Sequence, residues 1–272
     1  MITDYWLPIT IIAMFDSHAH MHYDSYNEDR DQVIARSRAA GLSGWLEVAV
    51  DVATSQQAVA LAQKEAGVYA TVGVHPSDIG TLTPDGWETI ESLVTQPQVV
   101  AVGEVGLDFY RGGTAQEQLP ILHRFVALAV KHSLPVVFHV RDSADGNASA
   151  HDAMINFLES LPANERPQGV MHTFSGGEAQ AERYLALGMY LSFSGVVTFK
   201  NAGPIATVAT TMPLNRLLIE TDCPFLTPEP HRGQRNEPAY VALVAEKIAA
   251  LRKISVAEIE RATDANAQVL FG

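Results

Sequence analysis

The sequence predicts a (β/α)8 barrel. Eight short apolar, β-rich runs each close on a polar residue, and a helical pattern follows each run. The runs are near-continuously apolar, as strands of a parallel sheet covered on both faces must be. An open doubly wound sheet is the alternative, but no Gly-x-Gly-x-x-Gly follows the first run. A chain of 272 residues suits one such barrel.

The first run, Ile9 to Phe15, leads to His18. The second is Gly44 to Val50, closing at Asp51. The third is Val68 to Val74, closing at His75-Pro76. The fourth is Val99 to Glu104 and the fifth Pro135 to His139. The sixth is Gly169 to His172, the seventh Met189 to Ser194 and the eighth Leu217 to Asp222. Helical patterns are expected over Asp29–Ala40, with Gly41 as its stop, and over Ser55–Ala66, with Gly67 as its stop. Pro84–Gln96 begins with proline in its first turn, and Thr114–His132 is the longest. His151–Leu161, Glu178–Leu187, Asn201–Thr210, Pro238–Leu251 and Val256–Leu270 complete the set. Residues 1–13, ahead of a second methionine at Met14, read as an N-terminal extension to a single barrel domain over 14–272.

Composition narrows the function. Hydrophobic residues make up 47%, enough for a full core. The single cysteine, Cys223, allows no internal disulfide and suits a reducing cytoplasm. The start of the chain lacks the basic residues of a secretory signal, and no apolar run reaches membrane-spanning length. A net charge of −13 counts against a protein that coats or slides along duplex DNA. It leaves room for local phosphate binding through cations. No coiled-coil repeat or obligate protein partner is indicated, and a monomer is expected.

The chemistry gathers where a barrel puts it, at the carboxyl ends of the strands. In Asp16-Ser17-His18-Ala19-His20 the two histidines are two apart and share a strand face. Glu104, His139, His172 and Asp222 stand at the ends of four further strands. A lone histidine there is usually a hydrogen-bonded structural residue, and a lone Glu104 a cap or ion-pair partner. Four imidazoles and two carboxylates from five strands make a metal site the better reading. Six ligands exceed the need of one zinc-type ion and suit two divalent ions with one carboxylate between them. Imidazole mixed with carboxylate favours Zn2+, Mn2+ or Fe2+ over an all-oxygen Mg2+ site, and Zn2+, Mn2+ and Mg2+ are the ions to test.

These motifs resemble the TatD family of metal-dependent deoxyribonucleases, within the amidohydrolase-like barrels. The matching stretches are Asp16 to His20, Gly73-Val74-His75-Pro76, Gly103 to Tyr110 and Phe138-His139-Val140-Arg141-Asp142. They continue with His172-Thr173-Phe174-Ser175-Gly176, Ser192 to Gly195, Glu220 to Leu226 and Arg235 to Ala239. The resemblance covers Met14 to Gly272. It implies that His18, His20 and Asp222 hold one ion, that His139 and His172 hold the other, and that Glu104 bridges them. It also implies metal-dependent hydrolysis of DNA, as a single strand or from 3′ ends. Thr173 stands where many relatives carry Cys. Within this reading a water attacks a phosphodiester in line, and Asp222 takes its proton as general base. The competing function is hydrolysis of a small ester or amide, which the same fold and ions could serve.

Other residues have weaker claims. His75 is a candidate phosphate contact, with turn stabilisation close behind. Arg141, two past His139, is a candidate grip on phosphate, against an ion pair with a barrel carboxylate. Asp108 reads as ordering the loop after the fourth strand. His231, Arg232 and Arg235 form a basic cluster after the eighth strand, where barrels often contact phosphate, though a solvated loop charge is commoner. Lys200 is similar. Asn236-Glu237-Pro238 reads as a helix start with Asn236 as its cap. Cys223 reads as a packed residue rather than a nucleophile.

Overall fold

The computed structural model describes residues 14–272, so the expected extension over 1–13, and the part of the first run within it, lie outside the described residues. Eight parallel strands form one sheet in sequential order. They are β1 Met14–Ala19, β2 Leu42–Glu47, β3 Val68–Val72, β4 Val99–Asp108, β5 Val136–Arg141, β6 Gly169–Met171, β7 Tyr190–Phe193 and β8 Leu217–Ile219. The two edge strands meet at their carboxyl ends. The Asp222 N–H donates to the His18 carbonyl at 2.9 Å and the His20 N–H to the Cys223 carbonyl at 2.9 Å. The expected (β/α)8 barrel is the architecture found.

The helices are α1 Arg30–Ala39, α2 Val52–Lys64, α3 Pro84–Leu93, α4 Ala115–His132, α5 Ala150–Ser160, α6 Glu178–Ala186, α7 Gly203–Thr211, α8 Val241–Arg252 and α9 Val256–Phe271. Local chemistry sets most of their ends. Thr114 with Glu117, and Ser255 with Glu258, close reciprocal caps at the starts of α4 and α9. Gly41 follows α1 at φ +93°, the left-handed conformation that ends a helix readily only with glycine. Helix α2 begins three residues before the expected Ser55, because Asp51 accepts the Thr54 N–H at 2.7 Å and nucleates the turn there. At the last loop Asn236 is no cap. Its side chain points back to the Thr221 and Phe225 carbonyls at 2.9 and 2.6 Å.

Core packing follows strand parity. Leu46, Val48, Ala101, Val137, Val170 and Leu218 form one buried cluster, closed by Ala267 and Leu270 of α9. Their neighbours Trp45, Val102, Val136, Phe138 and Ile219 join the larger cluster shared with the helices. Alternate residues of each strand thus fill the barrel and the shell around it, as a closed sheet requires.

Candidate metal centre

The residues at the carboxyl end of the barrel are held by departures from regular strand. An irregularity in the pairing of β4, between Val102 and Val105, brings Glu104 into the mouth, where its N–H donates to the Ala49 carbonyl at 2.7 Å. Glu104 and His139 therefore lie inside β4 and β5 and do not end them. β8, in contrast, stops at Ile219. Asp222 lies three residues beyond at φ +56°, a left-handed conformation that Asp tolerates better than most residues. Behind it, the buried Asp16 accepts the backbone N–H and hydroxyl of Thr221 at 2.9 and 2.5 Å and the His18 N–H at 3.2 Å. One buried carboxyl group thus ties the His18 strand to the Asp222 loop.

Glu104 is the centre of the arrangement. Its Oε2 lies 3.4 Å from His18 Nε2 and 4.0 Å from His20 Nε2. Its Oε1 lies 2.7 Å from His139 Nδ1, 2.8 Å from His172 Nε2 and 3.7 Å from His75 Nε2. Asp222 Oδ1 closes the first side, 3.3 Å from His20 Nε2 and 3.6 Å from His18 Nε2. The ligand atoms of His18, His20 and Asp222 fall within 4.8 Å of one another, as do those of His75, Glu104 and His139. All six sequence-predicted metal residues come together in one cluster, four buried and His139 and Asp222 partly so, with one Glu104 oxygen turned to each half.

The imidazoles are oriented for ligation. His20 Nδ1 donates to the Val48 carbonyl at 2.6 Å, which leaves the lone pair of Nε2 facing the cluster. His139 Nε2 donates to Asp108 Oδ2 at 3.1 Å, which turns its Nδ1 toward Glu104 Oε1. His172 Nδ1 faces Glu220 Oε1 at 3.4 Å, and its Nε2 faces Glu104. Outer partners that fix tautomer and ring orientation are the usual surroundings of ligating histidines. The donor set and its orientation fit divalent cations.

The electrostatics show the same pull. Burial raises the Glu104 carboxyl, but the His172 charge and the hydrogen bonds from His139, His172 and His18 outweigh it and hold the group well below its usual value. Burial alone would lower His172, yet the Glu104 and Glu220 carboxylates raise it well above 6.5. His18 moves the other way, lowered by burial and by the neighbouring His172 charge. Asp108 and Glu220, both penalised by burial, are each brought down to about 2, Asp108 by the hydrogen bond from His139 and Glu220 by the nearby His172. These carboxylates are ionised and available to orient their histidines.

Glu220 and Glu47 escape a reading of the strand ends, while Asp108, expected to order its loop, accepts the Arg111 N–H there at 3.0 Å and also backs His139. Glu220 is fully buried and accepts the Thr173 N–H and hydroxyl at 2.5 and 2.6 Å. Its signal was its place two residues before Asp222, the same spacing as His18 and His20. Asp108 is four beyond Glu104 because β4 runs on to Asp108 itself. Glu47 accepts the Trp45 indole N–H at 2.7 Å and both N–H groups of His22, a buried cluster behind His20 that no strand-end rule marks.

A cleft of about 470 Å³ opens onto the cluster and is lined by His75, Arg111 and Arg141 among others. His75 lies three residues past the end of β3, its Nδ1 accepting the Ser77 N–H at 3.0 Å. Arg141 ends β5 and lays its guanidinium 3.7 Å over the Tyr110 ring. Arg111 was not foreseen. The basic cluster of the last loop is spent elsewhere and does not line the cleft. Arg235 pairs with Asp29 at 2.7 and 2.8 Å, Arg232 lies over Phe199 at 4.1 Å, and His231 stacks on Tyr240 at 4.6 Å. Lys200 is exposed and also outside the cleft lining. Cys223 is buried and free, and burial raises its thiol, which agrees with a packing role.

Comparison with known proteins bears on this geometry. Residues 15–272 match the family of TatD related DNases. A metal-dependent hydrolase, YabD of Bacillus subtilis, is 38% identical over 259 residues, covering 95% of this chain and 98% of its own. The 3′-5′ ssDNA/RNA exonuclease TatD of Klebsiella pneumoniae is 36% identical over 266 residues, covering 95% and 98%. The crystal structure of YJJV, a TatD homologue of Escherichia coli, superposes with a TM-score of 0.87 at 29% identity, covering 96% and 98% of the two chains. The chain belongs to the TatD related DNase family.

Proposed function

We propose that this member of the TatD related DNase family hydrolyses phosphodiester bonds of single-stranded nucleic acid, DNA first, from the 3′ end. The observation that carries the reading is Glu104, with one oxygen toward His18 and His20 and the other toward His139 and His172. In this reading His18, His20 and Asp222 hold one divalent ion, His139 and His172 the second, and Glu104 is shared. Two ions held by these residues would supply Lewis-acid charge at the phosphate and a more acidic water. The four imidazoles put Zn2+ and Mn2+ ahead of Mg2+. Asp222 takes the proton of the attacking water, and His75 and Arg141 hold phosphate oxygens.

Two further facts support nucleic acid over a small ester or amide. Arg111, Arg141 and the rings of Tyr23 and Phe225 line the approach to the cluster, the combination that single strands use. The relatives at similar identity in Klebsiella pneumoniae and Salmonella typhimurium are named 3′-5′ ssDNA/RNA exonucleases. We take residues 14–272 as one catalytic domain, since one eight-stranded sheet and the segments at its carboxyl ends hold all the proposed ligands, with 1–13 as an extension. Among the described residues no helix is long and apolar enough to cross a membrane. The lone buried thiol suits a cytoplasmic setting.

The test is release of nucleotides from single-stranded DNA by the purified chain, with EDTA and then with Zn2+, Mn2+ or Mg2+ restored. A Glu104→Ala variant runs beside it. Activity that vanishes with EDTA, returns with one metal and is absent in the variant is expected. Two bound ions with no cleavage of DNA or RNA would overturn the substrate.

A further inference from the structure

The approach to the cluster carries aromatic surface where solvent would ordinarily meet polar groups. Phe225 is 51% exposed and Tyr110 50%, the two most exposed aromatic rings among the described residues. Single exposed rings are ordinary. Phe225 lines the cleft itself, and Tyr110 stands behind Arg141, which also lines it. Phe225 sits three residues past Asp222, its N–H donating to the Asp222 carbonyl at 2.9 Å. Its own carbonyl accepts the buried Asn236 amide at 2.6 Å. Its ring stands edge-on to Tyr23, centroids 5.9 Å apart at 77°, and to His20 at 6.4 Å and 67°. Tyr23 in turn lies parallel to the His20 ring, 5.1 Å away at 17°. Arg141, in the lining of the same cleft, lays its guanidinium 3.7 Å over the Tyr110 ring.

We propose that Phe225 is a stacking platform for the base of the nucleotide being removed, while Arg141, braced on Tyr110, takes a phosphate on the other flank. The inference rests on the nucleic-acid reading above and names the subsite that reading lacks. A ring joined rigidly to the Asp222 loop holds a base at a constant distance from the reacting phosphate. Every base has a π-face, so such a platform accepts any base identity. A base already paired and stacked in a duplex is unavailable to it. The subsite therefore selects unpaired ends without reading sequence.

The experiment uses two single-stranded oligodeoxynucleotides of equal length, one intact and one with an abasic 3′-terminal nucleotide. KM and kcat are measured for the wild-type chain and for Phe225→Ala, Phe225→Leu and Phe225→Trp, with bound metal measured in each. The wild type is expected to favour the intact end by about tenfold in KM, the scale of one base stacked on one ring. Phe225→Ala and Phe225→Leu should lose that preference and Phe225→Trp should keep it. The leucine variant keeps apolar bulk, so its loss isolates the π-face. An unchanged preference in both the Ala and Leu variants overturns the platform and leaves the nuclease standing. A wild type that cleaves neither strand overturns the nuclease reading and the platform with it.

Discussion

The Ser77 backbone N–H donates to His75 Nδ1 at 3.0 Å, so the proton of the neutral His75 ring sits on Nε2, which faces Glu104 Oε1 at 3.7 Å. His20 has the opposite polarity, with Nδ1 donating to Val48 and Nε2 left as a lone pair. The two histidines stand in one cleft, one presenting an N–H to it and the other a lone pair. Burial lowers His75 to about 3, which keeps it neutral at working pH. His75→Ala should therefore retain the metal content of the wild type while kcat falls about a hundredfold, the scale of losing one positioned donor. Elemental analysis beside the assay decides it, and loss of an ion would make His75 a ligand.

Asp108 and Glu220 are expected to act through the histidines they orient. Asp108→Asn and Glu220→Gln should weaken metal affinity about 10- to 100-fold. Saturating metal should restore most of kcat. A kcat that stays low at saturating metal would place these carboxylates nearer the reaction than their contacts with His139 and His172 imply.

Asp222 is assigned two duties, ligand and base. Asp222→Asn keeps an oxygen donor and removes the basic group, so kcat should fall about a thousandfold with both ions still bound. Joint loss of one ion and activity would reduce Asp222 to a ligand.

Metal and protons compete for His172. Its pKa in the metal-free fold is raised, so its contribution to stability is whole below the ordinary 6.5 and is lost as pH rises through the raised value. Glu104 and Glu220 are lowered, so theirs is whole above 4.5 and is lost as pH falls. Thermal melts in EDTA should give a metal-free Tm that is greatest between those values and declines toward alkaline pH. The rise in Tm on adding metal should grow over the same alkaline range, because a cation must displace the His172 proton. A metal-free Tm that climbs steadily from about pH 6 to 8 would contradict a protonated His172.

Gly106 should tolerate no side chain. Its φ is +152°, and a Cβ there would stand 1.9 Å from the His139 carbonyl oxygen. β4 and β5 pair at this point, so the backbone of one must shift and carry His139 with it. Gly106→Ala is expected to cost more than about 3 kcal/mol and to lower metal occupancy, read by denaturant melts and elemental analysis. A variant as stable as the wild type would contradict the close approach.

The barrel and the six proposed ligands were legible because each rests on a local pattern. Apolar runs mark strands, and their carboxyl ends mark the mouth, so His18, His20, Glu104, His139, His172 and Asp222 could be picked out one strand at a time. The basic residues of the last loop were misleading for the same reason. Composition shows that Arg235 is charged, but only the fold shows Asp29 lying against it.

The sequence by itself determined the order of the elements, the chemistry of the donors and the end of the barrel where they stand. Tertiary structure decided what depends on distances between strands far apart in the chain. It turned Glu104 inward at an irregularity between β4 and β5, set one of its oxygens toward each group of histidines, and placed Asp108 and Glu220 behind their rings. It also set the proton of His20, whose Nδ1 donates to the Val48 carbonyl. Hydrogen bonds of this kind join residues dozens of positions apart, and no periodicity records them, because they exist only once the sheet has closed and its register is set.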